Sequence, residues 1–196
     1  ASALELHPIG GYSGLENWGE LRAEYGGILR LTGSLEQSYF TGGGRVVIAD
    51  ALSAVEWNGA HVHGGTIDNS ADGTSTFRGY SRLHNVMLRG VHCVAGGGEL
   101  EIYGLRNDGA LVIRHDAGDP VVLAVDSSYI TGTGEIFLNG TADQPTLARI
   151  IESYSDSELH LGQDQMLGGT SVCMPMVPSR FVPRSSIKVV LSTGSL

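Results

Sequence analysis

Short alternating stretches closed by glycine, and apolar positions recurring about 21 residues apart, predict an all-β chain wound as a right-handed parallel β-helix. Glycine is 29 of the 196 residues, roughly double the usual share of about 7%. It is neither periodic by three nor confined to linkers. It punctuates four- to six-residue strand candidates such as GGILRLTG, GAHVHGGTIDN, GGGELEIYG, GALVIRHD and GTGEIFLNG, the pattern of strand followed by turn. Aligning 61–69 with 82–90 matches Val62 to Leu83, Ile67 to Leu88 and His63 to His84. Further steps of similar length reach Leu100–Tyr103 and Val121–Val125. Repeats of this length built from short strands stack into a solenoid. A coil length near 20 and the absence of a hexapeptide repeat favour right-handed winding.

The elements follow in order. Residues 1–26 are expected to form an N-terminal cap. Ser13 and Glu16 fit a capping box, and Leu15, Trp18, Leu21 and Tyr25 recur at near-helical spacing, so a short amphipathic helix is predicted there to shield the first coil. Gly19 weakens that helix. Residues 27–170 carry the coils. Within them Ile136 and Leu138 alternate inward while Glu135 and Phe137 point out. Residues 171–196 hold three of the six prolines within 173–183; proline cannot donate to a ladder, so regular coils should stop near 170, with one last strand in SIKVVLSTGSL.

The units YITGTGEIFLNGT, LRNDGALVI and GGTIDN resemble the degenerate coils of right-handed β-helix proteins on bacterial surfaces, the filamentous-haemagglutinin-like exoproteins and autotransporter passengers. The resemblance spans roughly 27–170 and also touches IIESYSDSELHLGQDQMLGG. It implies a secreted or cell-surface, adhesin-like module. Phage tailspikes and polysaccharide lyases use the same architecture, and no catalytic motif comes with it, so function must be argued from the site.

Composition narrows the field. Net charge is −9, and Lys188 is the only lysine beside eleven arginines. No basic face for nucleic acid is visible, and the acidic surface repels polyanions at long range. No apolar run reaches the roughly 20 residues of a membrane span. The chain starts without methionine and reads as a mature chain or excised segment. Cys93 and Cys173 are the only cysteines; their pairing is left open, and both suit small buried positions.

Three groups of side chains are candidates for chemistry. His61 and His63 share a strand face, with His84 one coil on; three imidazoles so placed could hold zinc or copper. The plainer reading is a solvent-facing stack with no metal, because no acid or cysteine completes the set. For a polysaccharide-cleaving enzyme the first carboxylates are Asp68, Glu99 and Glu101, one coil's offset aligning either glutamate with Asp68 or Asp126; a hydrated acidic face is the ordinary alternative. The outward-reading aromatics Tyr103, Phe137 and Tyr129 could stack on sugar rings. No GxSxG, P-loop or dinucleotide fingerprint occurs, and no cofactor is expected. The expected function is therefore a non-enzymatic adhesin-like or structural module binding glycan or protein along an exposed face. The alternative is a polysaccharide-cleaving enzyme or tailspike fragment; partners would be a carbohydrate or protein receptor or further copies of the chain, three if it is tailspike-like.

Overall fold

The structure, a computed structural model, describes residues 2–7, 14–37, 43–95, 97–114, 121–125, 129–139, 148–152, 160–161, 166–169 and 189–191. Side chains are described for 2–7, 14–37, 43–95, 97–114 and 130–137. Every regular element among these residues is a strand. In chain order they begin β1 (Ala3–Leu6), β2 (Leu15–Asn17), β3 (Glu20–Ala23), β4 (Ile28–Gln37), β5 (Arg45–Ile48) and β6 (Ala54–His63). Next come β7 (Thr66–Asn69), β8 (Thr74–Arg78), β9 (Tyr80–Val94), β10 (Glu99–Asn107), β11 (Ala110–Arg114) and β12 (Val121–Val125). The last are β13 (Tyr129–Thr131), β14 (Glu135–Asn139), β15 (Ala148–Glu152), β16 (His160–Leu161), β17 (Met166–Gly169) and β18 (Val189–Leu191).

Each coil of this parallel β-helix visits three sheets in turn. The first stacks β1, the starts of β4 and β6, β8, the end of β9, β11, β14, β17 and β18. The second stacks β2, the remainders of β4 and β6, the starts of β9 and β10, β12 and β15. The third stacks β3, β5, β7, the middle of β9, the end of β10, β13 and β16. The repeat read from the sequence is the observed register: Val62 pairs with Leu83, His63 with His84, and Ile67 with Leu88.

Alternation does the sorting. Inward side chains form columns along the axis, one of them Leu31, Trp57, Phe77, Val94 and Ile113, all essentially without exposure. Ile136 is buried while Glu135 and Phe137 are half-buried on the outer side, as the alternation predicts; the side chain of Leu138 lies outside the described residues. A column on the first sheet departs from the apolar rule. Ser75 and His92 sit between Val55 and Leu111 on the first sheet, both buried. Burial of polar groups requires partners, and these have them: His92 Nδ1 lies 2.8 Å from Ser75 Oγ and Nε2 2.9 Å from the Arg89 carbonyl. The Trp57 indole also donates to Ser75 Oγ, at 3.2 Å.

Corners need unusual backbone. Gly90 turns the chain from the third sheet to the first with φ +76, and a Cβ there would lie 2.1 Å from the Asn69 carbonyl oxygen. Only glycine fits. Asparagine ties consecutive coils together at the same bend: Asn107, fully buried, donates to the Glu135 carbonyl at 3.0 Å and accepts from Gly109 N–H at 3.3 Å.

The N-terminal helical cap is replaced by strand. Leu15 lies on β2 and Leu21 on β3, while Trp18 and Tyr25 occupy the bends after them and are 70% and 92% exposed. The four residues therefore share no face: two short strands and their bends divide the stripe that a helix would have presented. The expected coils as far as 170 and irregular tail beyond fall mostly outside the described residues, although β18 does pair with β17. No helix among the described residues is long and apolar enough to cross a membrane.

Candidate functional site

The outward surface of the second sheet gathers the densest set of functional side chains. Register explains the gathering. Glu36, His63, His84 and Tyr103 occupy one cross-strand column, and Ser34, His61, Arg82 and Glu101 the next. Tyr80, at the start of β9, is in register with Glu99. Outward residues at alternate positions, with Ser81, Leu83, Leu100 and Ile102 buried between them, put all these groups on one surface.

Glu101 organises the set. It is only 6% exposed although its strand position faces out, because Tyr80, Arg82 and Tyr103 close over it. Oε1 accepts from the Tyr103 hydroxyl at 2.8 Å. Oε2 accepts from Arg82 Nε at 2.5 Å and from the Tyr80 hydroxyl. Arg82 Nε also lies 2.7 Å from Tyr80 Oη, and its guanidinium carbon sits 5.0 Å from the Tyr80 ring centre and 5.8 Å from that of Tyr103. Burial opposes the charge on Glu101, but the hydrogen bonds from Tyr80, Tyr103 and Arg82, with the guanidinium charge, hold its carboxyl below the usual range. Tyr80 moves the other way: burial and its bond to the carboxylate raise the phenol.

The imidazoles complete the surface. His61 meets Tyr80 edge-on with centres 6.0 Å apart. His63 and His84 are perpendicular at 5.3 Å, their Nδ1 atoms 3.2 Å apart, and His84 meets Tyr103 edge-on at 6.0 Å. Burial lowers His61, helped by the charges of Arg82 and His63, and burial with His63 lowers His84.

The candidates read from the sequence separate on this frame. Asp68 is on the third sheet, paired in register with Val47 and Arg89, so it does not align with Glu99 or Glu101 on the second. It is bound instead to Arg45 at 3.1 Å and to Ser70. Burial opposes its charge as well, yet the Ser70 and Arg45 bonds lower the carboxyl. Asp126 lies outside the described residues. Tyr103 is part of the patch, whereas Phe137 is on the first sheet, in register with Val112; the Tyr129 side chain lies outside the described residues. His61 faces Tyr80 and stands in the neighbouring column, and among the described residues no three His, Cys, Asp or Glu groups converge as a metal cage. Cys93 is half-buried on the outer side of the first sheet; Cys173 lies outside the described residues.

Sequence reasoning passed over Tyr80 as a member of the site, and over the pairing of Arg82 with Glu101. The signal was present: in YSRLH alternation puts Tyr80, Arg82 and His84 on the same side as His63. A second exposed feature, the bend bearing Tyr25 and Leu52, 92% and 83% exposed, borders a shallow pocket lined by Arg22, Glu24 and Asp50.

No family model, no curated protein and no solved structure matches the chain. The chemistry of this surface is therefore the ground for a functional reading.

Proposed function

We propose that the chain is a non-enzymatic β-helix module, adhesin-like or structural, secreted or displayed at a cell surface, that binds glycan or protein along the outward face of its second sheet. The observation that carries this reading is the clamp on Glu101. Three donors from two coils converge on one carboxylate, which fixes Tyr80, Arg82 and Tyr103 before any ligand arrives. Preorganised side chains lose little freedom on binding. Tyrosine rings offer faces for the C–H side of a sugar, and imidazole and guanidinium edges offer hydrogen bonds to hydroxyls. Arg82 is neutralised by Glu101 and the whole chain carries −9, so a neutral glycan suits the patch better than a polyanion.

Catalysis is poorly served by the same groups. A glycosidase needs one carboxyl held protonated beside an ionised partner, whereas Asp68 and Glu101 are both lowered and lie on different sheets. A proton-abstracting tyrosine needs a depressed phenol, and that of Tyr80 is raised.

The test is a panel of bacterial and plant polysaccharides scored for retention and for new reducing or unsaturated ends, with Tyr80→Ala and Phe137→Ala alongside. Retention without new ends, weakened by Tyr80→Ala and indifferent to Phe137→Ala, is the expected result. New ends would overturn the non-enzymatic reading. Retention untouched by Tyr80→Ala would move the site off the second sheet, and silence towards glycans and protein receptors alike would leave only a structural role.

A further inference from the structure

The contact between His63 and His84 has a geometry beyond what sugar binding requires. Their Nδ1 atoms are 3.2 Å apart with the ring planes at 86°. Two imidazole nitrogens at that separation, each about 2.0–2.1 Å from one ion, subtend about 100° at it, close to a tetrahedral angle. The rings are held on adjacent parallel strands, as Cα partners flanked by the paired Val62 and Leu83 in the core, so the sheet sets the two side chains next to one another.

The second ring nitrogen of His63 supplies an independent indication. Nε2 faces the Glu36 carboxylate at 3.9 Å, from the preceding coil of the same column. At 3.9 Å the carboxylate is beyond hydrogen-bond range, but it stands on the side of the ring from which outer partners orient metal-binding histidines.

We propose that His63 and His84 form a two-imidazole chelate for a borderline divalent cation such as zinc, through both Nδ1 atoms, with Glu36 orienting His63 from behind. The protein supplies two ligands, and water or an external oxygen or nitrogen donor fills the other positions. This accords with the absence of a three-residue cage among the described side chains. Imidazole pairs favour Zn²⁺, Ni²⁺ and Cu²⁺ over Mg²⁺ or Ca²⁺. His61, facing Tyr80 in the next column, is not a ligand. Neither ligand nitrogen belongs to the Glu101 clamp, so zinc binding can be read without any glycan present.

The experiment is calorimetric titration of the full chain with zinc chloride, repeated on His63→Gln, His84→Gln, His61→Gln and Glu36→Gln, each checked by circular dichroism. The expected result is one zinc per chain. Loss of outer-shell partners costs about 10–100-fold in affinity, so losing either ligand should weaken binding by at least about tenfold, with His61→Gln near wild type and Glu36→Gln in between. Undiminished binding in both ligand variants, or no binding by the folded wild type, would overturn the proposal. Should a variant fail to fold, long-range imidazole ¹⁵N spectra of the wild type decide: zinc must shift the Nδ1 resonances of His63 and His84, and a shift confined to Nε2 or to other histidines refutes the chelate.

Discussion

Removing the Phe77 ring is the sharpest test of the interior. Phe77 and Trp57 are both wholly buried, cross-strand partners on the first sheet, with centres 5.4 Å apart and planes at 16°. Phe77 also lies 6.5 Å from the His92 ring and pairs with Val94 on the next coil. Phe→Ala at such a site removes transfer free energy and leaves a cavity, together about 3–5 kcal/mol, of which the stack accounts for about 0.5–1.5 kcal/mol. Against a whole-domain stability of about 5–15 kcal/mol, that is a large fraction. The assay is built in. The chain has two tryptophans; Trp18 is 70% exposed and Trp57 not at all, so the fluorescence change during urea unfolding reports Trp57, with Trp18 as an already solvated background. Coils contact chiefly their neighbours, so circular dichroism should be followed in parallel to learn whether the flanking coils melt together. Phe77→Leu, which keeps most of the apolar volume, should cost less than about 1.5 kcal/mol, and a double-mutant cycle with Trp57→Leu should return the stack alone. A Phe77→Ala loss below about 1 kcal/mol, or a Trp57 emission that unfolding leaves unchanged, would refute the inward column.

Two further expectations concern pH and backbone. Burial lowers His92 from 6.5 to about 4; because the folded value is depressed, its contribution is complete above pH 6.5 and is lost as pH falls toward 4, at up to about 1.4 kcal/mol per pH unit. His61 and His84 shift in the same direction, so His92→Gln should flatten the stability slope in that window by about one proton without abolishing it, and an unaltered slope between urea melts at pH 4 and 6.5 counts against the buried neutral imidazole. Gly90→Ala meets both a φ of +76 and the Asn69 carbonyl oxygen at 2.1 Å, whereas nothing lies within 4 Å of a Cβ at Gly19; the first should lose about 2 kcal/mol or more and the second less than about 0.5, with equal losses in thermal melts placing the corner elsewhere.

The coils were legible because a stacked sheet forces equivalent residues into equivalent environments. Val62 over Leu83 and Ile67 over Leu88 are matched in chemistry since each pair lines the same inner column. The N-terminal segment misled for a related reason. Trp18 and Tyr25 are outward residues at successive bends, and strands this short place bends at intervals that imitate a helical period. The site was legible residue by residue but not as an assembly. Contacts across coils depend on the local offset, and that offset varies with the residues inserted at each bend: His63 meets His84 across 21 positions, while Arg82 meets Glu101 across 19. Carrying one offset along the chain aligned Glu101 with Asp68, on another sheet, and concealed its actual partners Tyr80 and Arg82.

The clamp on Glu101 bears on what this surface can do. A carboxylate that exchanges protons with a substrate must have an oxygen open to it, or a partner that departs during the reaction. Here one oxygen receives Tyr103 and the other receives Arg82 and Tyr80, and the phenol of Tyr80 is made a weaker acid by that same bond. Each donor stabilises the charge on Glu101, and the charge in turn fixes each donor's orientation. A network closed in this way resists change of protonation and change of shape together. Both properties are those the proposed binding role requires, a constant pattern of rings and donors presented to a partner. The His63–His84 pair, outside that closed network and with its Nδ1 atoms directed at one another, is the part of the same face whose chemistry a bound ion can alter.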